Sequence, residues 1–177
     1  GTHGVGKSTL AEDLCRSLSG YVVADEPYEV LAELGHEFAF PPSTDDLLTL
    51  TEYAARSLAD TAQPPCAIFD RTPLDYLAYL VALGADLDTF AGAAGLHAAF
   101  ASLDALVVIP MTLDADRLLP PPALPALRRA ANDALLTILY DDPFDAWSDI
   151  PIVELVAPLD KRLGQVLHAI RHMEANA

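Results

Sequence analysis

The first ten residues, GTHGVGKSTL, contain the feature that most narrows what this chain can fold into. Residues 1–8 satisfy G-x-x-x-x-G-K-[ST], a pattern whose glycines let the main chain curl so tightly that its N–H groups face an anion. Leucines at 10, 14 and 18 then recur every four residues, as they do on one face of a helix. We therefore expect a phosphate-binding loop at the N-terminus of a helix over about 6–18.

Each residue of this loop has an expected role in binding a nucleotide. Lys7 is expected to neutralise the β- and γ-phosphates, and the Ser8 hydroxyl to bind Mg²⁺. For His3 the simpler interpretation is a loop residue that fills space. The residues expected to contact the nucleotide are Gly1, His3, Gly4, Val5, Gly6, Lys7, Ser8 and Thr9.

Short apolar runs alternate with helical patterns along the rest of the chain. Strands are predicted at 21–25, 66–70, 104–110 and within 150–158. Helices are predicted at about 26–34, 43–61, 71–84 and 86–102, from near Pro125, and at 159–173. This alternation predicts an α/β fold, in which helices cover both faces of a parallel sheet. No long linker or internal repeat divides the chain, so we expect a single domain over 1–177.

Acidic residues lie at the C-terminal ends of two of the predicted strands, at the edge where open α/β sheets bind their ligands. Asp70 is expected to help hold Mg²⁺, since Thr72 already suits the capping position of the next helix. Either Asp25 or Glu26 is a candidate general base, and solvated carboxylates at a strand end are the plainer alternative. Arg71 is expected to clamp a phosphate or acceptor, or else to pair with a nearby acid.

Arginines between the third and fourth strands are candidates for a mobile lid at about 114–140. Arg117 and Arg128 are expected to be lowered over the transferring phosphate, where they would stabilise developing charge. The alternative for each is an ordinary helix salt bridge, for example with Asp133.

The amino-acid composition excludes some classes of binding partner. The chain has 26 acidic and 10 basic residues and a formal net charge of −16, which argues against a nucleic-acid polymer as partner. No apolar run approaches the roughly 20 residues that span a bilayer, so we expect no membrane association and a cytoplasmic location. Cys15 and Cys66 lie in apolar contexts typical of reduced core thiols. The sequence is compatible with a homodimer.

The stretches GTHGVGKST, VVADEP and IFDRTPLDYLAY, with the late arginines, resemble the small P-loop kinases of nucleosides and nucleotides. They resemble especially the AAA-labelled bacterial ATPases that are similar to ribosylnicotinamide kinase. The resemblance implies a P-loop NTPase fold, with Glu26-Pro27 carrying the base and Asp70-Arg71-Thr72 ending the next strand. It places Pro158 at the start of the loop near the adenine. Since no N-K-x-D run is present to read guanine, ATP is expected rather than GTP.

The function that follows is ATP- and Mg²⁺-dependent phosphoryl transfer to a small nucleoside-, nucleotide- or riboside-like acceptor. The main alternative is an ATP-hydrolysing regulatory ATPase, in which water replaces the acceptor. A degenerate nucleotide-binding module is disfavoured because Lys7 and Ser8 are intact. In the fold that the resemblance implies, a strand normally leads into the phosphate loop at the centre of the sheet. We therefore expect an additional apolar strand of roughly five or six residues before Gly1, between 66–70 and 104–109.

Overall fold

The computed structural model describes residues 1–60, 64, 66–90, 93–112 and 124–175. Within these residues there are four strands, each of which lies inside one of the predicted apolar runs and is three residues long. They are β1 (Val22–Ala24), β2 (Ala67–Phe69), β3 (Leu106–Val108) and β4 (Ile152–Glu154). The prediction of four short strands is therefore confirmed, with tighter boundaries.

Helices occupy the intervals between the strands, as predicted. They are α1 (Lys7–Ser17), α2 (Pro27–Glu33), α3 (Thr44–Ala59), α4 (Pro73–Ala82), α5 (Ala93–Phe100), α6 (Pro125–Asp141) and α7 (Arg162–Glu174). Short 3₁₀ turns at Leu87–Thr89 and Leu159–Lys161 precede α5 and α7. No helix within the described part of the chain combines the length and the apolar character needed to cross a membrane.

Capping residues explain where two of these helices begin. At α3, the Ser43 hydroxyl accepts a hydrogen bond from the Asp46 N–H, and Asp46 accepts one in return from the Ser43 N–H. At α4, Pro73 occupies the first turn and Asp75 accepts a hydrogen bond from the Thr72 N–H at 3.0 Å. These local contacts fix the entry into the helices that flank the strand ends.

The strands pair in parallel and lie between two layers of helices. β1 pairs with β2, and β3 pairs with β4. Neighbouring residues on a strand pack on opposite faces: Ile68 and Val153 join a core with α1 and α7, whereas Phe69 joins the larger core built by α3, α4, α5 and α6. The predicted α/β arrangement, with helices on both faces of parallel strands, is therefore observed.

The two strand pairs are not hydrogen-bonded to each other in the described part of the chain. A cavity of about 1000 Å³ is lined by residues from both pairs, among them Ile68, Phe69, Val107 and Val108. Direct pairing of 66–70 with 104–109, which would contradict an intervening strand, is not seen. The additional strand itself stays a prediction.

The predicted lid at 114–140 falls largely on one packed helix. Residues 113–123, with Arg117, lie outside the described residues. The remainder belongs to α6, which packs on α4 and buries Ala131, Leu135 and Ile138. The described part of this segment is thus part of the core layer.

Candidate nucleotide-binding site

The phosphate-binding loop is formed as the motif predicts. Gly4 and Gly6 have φ angles of 68° and 86°, in the left-handed region that favours glycine. Gly6 is the N-cap of α1, so the helix begins at Lys7 and directs its N-terminus towards the loop. Val5 is fully buried in the core that contains α1 and α7, which anchors the middle of the loop.

Lys7 lies within the loop rather than in solvent. Its ammonium donates a hydrogen bond to the main-chain oxygen of Thr2 at 2.9 Å. Burial and the positive charge of Arg71 lower the pKa of Lys7 to about 8, against the opposing effect of the carboxylates of Asp75, Asp70 and Glu26. The predicted phosphate-neutralising lysine thus feels the charges of two predicted carboxylates, Asp70 and Glu26, and of a third, Asp75.

Ser8 and Asp70 meet as the metal hypothesis requires. The Ser8 hydroxyl, in the first turn of α1, donates a hydrogen bond to Asp70 Oδ2 at 2.5 Å, directly after β2. The second oxygen, Asp70 Oδ1, is buried and has no hydrogen-bond partner among the described residues. A buried carboxylate oxygen without a hydrogen bond is costly, and a cation bound there would supply the missing partner.

Glu26 and Arg71, which follow β1 and β2, form an ion pair. Arg71 Nε lies 2.7 Å from Glu26 Oε1, and both side chains are largely shielded from solvent. The Tyr76 hydroxyl donates to the same oxygen at 3.2 Å, and the Arg71 guanidinium lies 5.9 Å from the centre of the Tyr76 ring. Asp25, the other candidate base, is exposed. Of the two acids, Glu26 is the one held towards the site.

Asp75 is a buried carboxylate that the sequence analysis did not select. Its Oδ1 lies 3.0 Å from the main-chain nitrogen of Gly1, and its Oδ2 caps α4. Burial favours the neutral form of Asp75, whereas the positive charges of Lys7 and Arg71 and the hydrogen bond from the Thr72 N–H favour the charged form and lower its pKa. Asp75 therefore adds negative charge beneath the loop.

His3 is held by Tyr79 of α4. Its Nδ1 lies 2.6 Å from the Tyr79 hydroxyl, and the rings stack with centroids 6.1 Å apart. Burial, with the positive charges of Arg128, Arg71 and Lys7, lowers the pKa of His3 below 6.5, which favours a neutral imidazole. His3 thus ties the loop to α4.

Arg128 reaches the loop from α6. Its Nε donates to the main-chain oxygen of His3 at 2.8 Å, and its Nη2 to that of Gly4 at 3.3 Å.

Thr9 is exposed on the first turn of α1. The catalytic roles of Arg71, Arg117 and Arg128, and the nucleotide contacts expected of residues 1–9, stay predictions.

Sequence reasoning missed four residues that shape this site, and the signals they gave differ. Asp75 stands three residues after Thr72, the spacing of a capping box, so a capping role was readable. Tyr76 and Tyr79 lie in the apolar-rich stretch PLDYLAYLVA of α4. Arg162, whose Nη1 donates to the main-chain oxygen of Val5, directly follows Lys161 at the start of α7. Their contacts with distant residues gave no local signal.

Comparison with known proteins places the chain in a family. No curated protein matches it. A family model described as AAA domain matches residues 1–117 of the 177, a span that includes the phosphate-binding loop, Glu26, Asp70 and Arg71. Such domains are P-loop NTPase-like and bind nucleotides, in agreement with the geometry of the loop. The chain belongs to this AAA-domain family.

Proposed function

We propose that this chain transfers the γ-phosphoryl group of ATP to a small nucleoside-, nucleotide- or riboside-like acceptor, with Mg²⁺ as cofactor. The observation that carries the proposal is the placement of Glu26. Its carboxylate is held by Arg71 and Tyr76 after β1, and its charge acts on Lys7 of the phosphate-binding loop. A candidate base beside a phosphate site is what transfer to a hydroxyl requires.

The loop supplies the phosphate end of the proposed site. Lys7 is the cation that would meet the β- and γ-phosphates, and the N-terminus of α1 adds main-chain N–H groups. A bound phosphate would compete with the Thr2 oxygen for the Lys7 ammonium. Positive charge at this position stabilises the charge that spreads over the transferring group.

Ser8 and Asp70 fit a magnesium ion. The Ser8 hydroxyl and Asp70 Oδ2 are adjacent, and Asp70 Oδ1 is buried without a described partner. No group of three or more His, Cys, Asp or Glu side chains is placed to hold a metal among the described residues. Mg²⁺ suits such a sparse site, because it commonly uses one or two carboxylates together with nucleotide phosphates. Bound there, it would neutralise charge on the β- and γ-oxygens.

Glu26 is proposed to accept the proton of an attacking hydroxyl. That oxygen forms a bond to the γ-phosphorus while the bond from phosphorus to the β–γ bridging oxygen breaks, and ADP leaves with the electron pair. Arg71 orients Glu26 through its Nε. The same residues could orient water, so ATP hydrolysis is the competing outcome.

The test is a screen for phosphoryl transfer from γ-labelled ATP to nucleosides, nucleotides and ribosides, with Lys7→Ala beside the wild type. We expect label on one acceptor class with the wild type and none with the variant. Lys7-dependent release of inorganic phosphate that no acceptor diverts would support hydrolysis instead. Background with every acceptor and no phosphate release would contradict both activities.

A further inference from the structure

The main-chain oxygens in the middle of the phosphate-binding loop all accept hydrogen bonds. Five consecutive carbonyls, from Thr2 to Gly6, each accept a hydrogen bond. The donors are Lys7 Nζ to Thr2, Arg128 to His3 and Gly4, Arg162 Nη1 to Val5 at 2.6 Å, and the Leu10 N–H to Gly6. Three of these oxygens are bound by two arginines from distant helices.

The N–H groups in the middle of the same loop differ from that of His3, which donates to the Tyr79 hydroxyl at 3.4 Å. No described residue accepts a hydrogen bond from the N–H of Gly4, Val5 or Gly6. In a trans peptide unit the C=O of one residue and the N–H of the next point in opposite directions. A donor that holds the C=O therefore makes the N–H of the next residue point away from that donor. Arginines bound to the oxygens of residues 3–5 therefore fix the direction of the N–H groups of residues 4–6.

Both arginines are buried, which makes this arrangement specific. Arg128 and Arg162 are each only 3% exposed. A buried guanidinium is costly unless its donors are satisfied, and here two nitrogens of each arginine donate to main-chain oxygens. The planar fork of Arg128 spans two successive carbonyls, a geometry that the single ammonium of lysine cannot reproduce.

We infer that Arg128 and Arg162 are positioning residues that hold the phosphate-binding loop in its anion-binding conformation from the carbonyl side. The inference rests on phosphate binding by the loop, which is part of the proposed function, and not on phosphoryl transfer. Both arginines lie beyond residues 1–117, the span that the family model matches. The part of the chain beyond that match thus shapes the family's characteristic loop.

Binding of tripolyphosphate tests the inference, because this probe engages only the phosphate site. Isothermal titration calorimetry would compare the wild type with Arg128→Lys and Arg128→Met. The matched control is Arg129→Met, which removes one charge from an exposed neighbour on the same helix. We expect both Arg128 variants to weaken binding by roughly tenfold or more and the control to stay within about twofold. Arg162→Lys, compared with Arg171→Met on α7, is expected to behave in the same way.

Amide NMR separates a change in the loop from a general loss of protein stability. Tripolyphosphate should shift the amide resonances of Gly4, Val5 and Gly6 in the wild type, and by less in folded Arg128→Lys at equal saturation. Should Arg128→Met not fold, the charge-retaining Arg128→Lys decides the matter.

Wild-type affinity for tripolyphosphate in Arg128→Lys would overturn the inference. An equal loss of affinity in Arg128→Met and Arg129→Met would also overturn it, because it would indicate that only the net charge matters. A wild type that fails to bind tripolyphosphate at millimolar concentration would also overturn it. A wild type that binds tripolyphosphate but phosphorylates no acceptor would contradict the proposed transfer and leave this inference intact.

Discussion

The Lys7 ammonium donates a hydrogen bond to the main-chain oxygen of Thr2, 2.9 Å away in the same loop. The lysine is therefore folded back on the loop, where burial and Arg71 lower its pKa to about 8. A phosphate bound beside it would supply negative charge and stabilise the ammonium form. Protonation of Lys7 and nucleotide binding should consequently be linked.

The first prediction concerns pH. Because the free protein loses the Lys7 proton as pH rises through about 8, and a bound phosphate raises that pKa, ATP binding should take up protons near pH 8–9. ATP affinity should be level below about pH 7 and fall above pH 8. Calorimetry in buffers of different ionisation enthalpy measures the proton uptake.

Two lysine variants sharpen this test. Lys161→Met alters the chain's other lysine, which is exposed, and should leave the pH profile unchanged. Lys7→Arg stays charged throughout the range and should flatten the profile. No proton uptake by the wild type at pH 8.5 would count against a lowered pKa at Lys7.

The second prediction concerns Glu26. Replacement by Gln keeps an oxygen that can accept from Arg71 and Tyr76 but removes the basic carboxylate. We expect phosphoryl transfer to fall by roughly 10²–10⁴-fold, with the dissociation constant for ATP nearly unchanged. Glu29→Gln, at an exposed site on α2, is the control. Loss of ATP binding in Glu26→Gln would show a structural acid instead of a base.

The third prediction concerns Asp70. Asp70→Asn keeps an acceptor for the Ser8 hydroxyl but removes the charge that would attract Mg²⁺. The Mg²⁺ concentration for half-maximal activity should rise by roughly tenfold or more, since hard cations prefer charged oxygens. Titration of activity with Mg²⁺ at fixed ATP measures this change. Asp104→Asn, before β3 and exposed, should match the wild type, and an unaltered Mg²⁺ requirement in Asp70→Asn would exclude Asp70 as a ligand.

The fourth prediction concerns the start of α3. Asp46 accepts hydrogen bonds from Ser43, His36 and the Ala39 N–H, and those from Ser43 and His36 contribute most to holding its pKa well below 3.8. Asp46→Ala should lower the free energy of unfolding by about 1–2 kcal/mol at neutral pH. Asp45→Ala, an exposed neighbour in the same turn, is expected to cost less.

The sign of the pH effect follows from that lowered pKa. The contribution of Asp46 is present above its ordinary value of 3.8 and is lost as pH falls below it. The difference in unfolding free energy between wild type and Asp46→Ala should therefore be constant above about pH 5 and shrink on acidification. Urea unfolding at several pH values measures it. A difference that grows on acidification would contradict the assignment.

Much of the fold was readable locally. The helix following GTHGVGKS, the short apolar strands and the helices capped at Ser43 and Thr72 were all predicted, because periodicity, caps and turn residues act over a few positions. Asp70 and Glu26 were also found, because parallel strands bring their carboxyl ends to one edge. The helix from near Pro125 was predicted as well, but its packing on α4 joins residues that are distant in the sequence and gave no local signal.

The sequence by itself determined the phosphate-binding loop, the α/β alternation and the acids at the strand ends. Only the tertiary structure decided what surrounds the loop. Arg128 and Arg162 reach it across 125 and 157 residues of chain, and the Tyr79 hydroxyl holds His3 across 76. Such contacts depend on how α4, α6 and α7 pack around the strands. Packing joins residues that share no local pattern, so no short stretch of sequence encodes them.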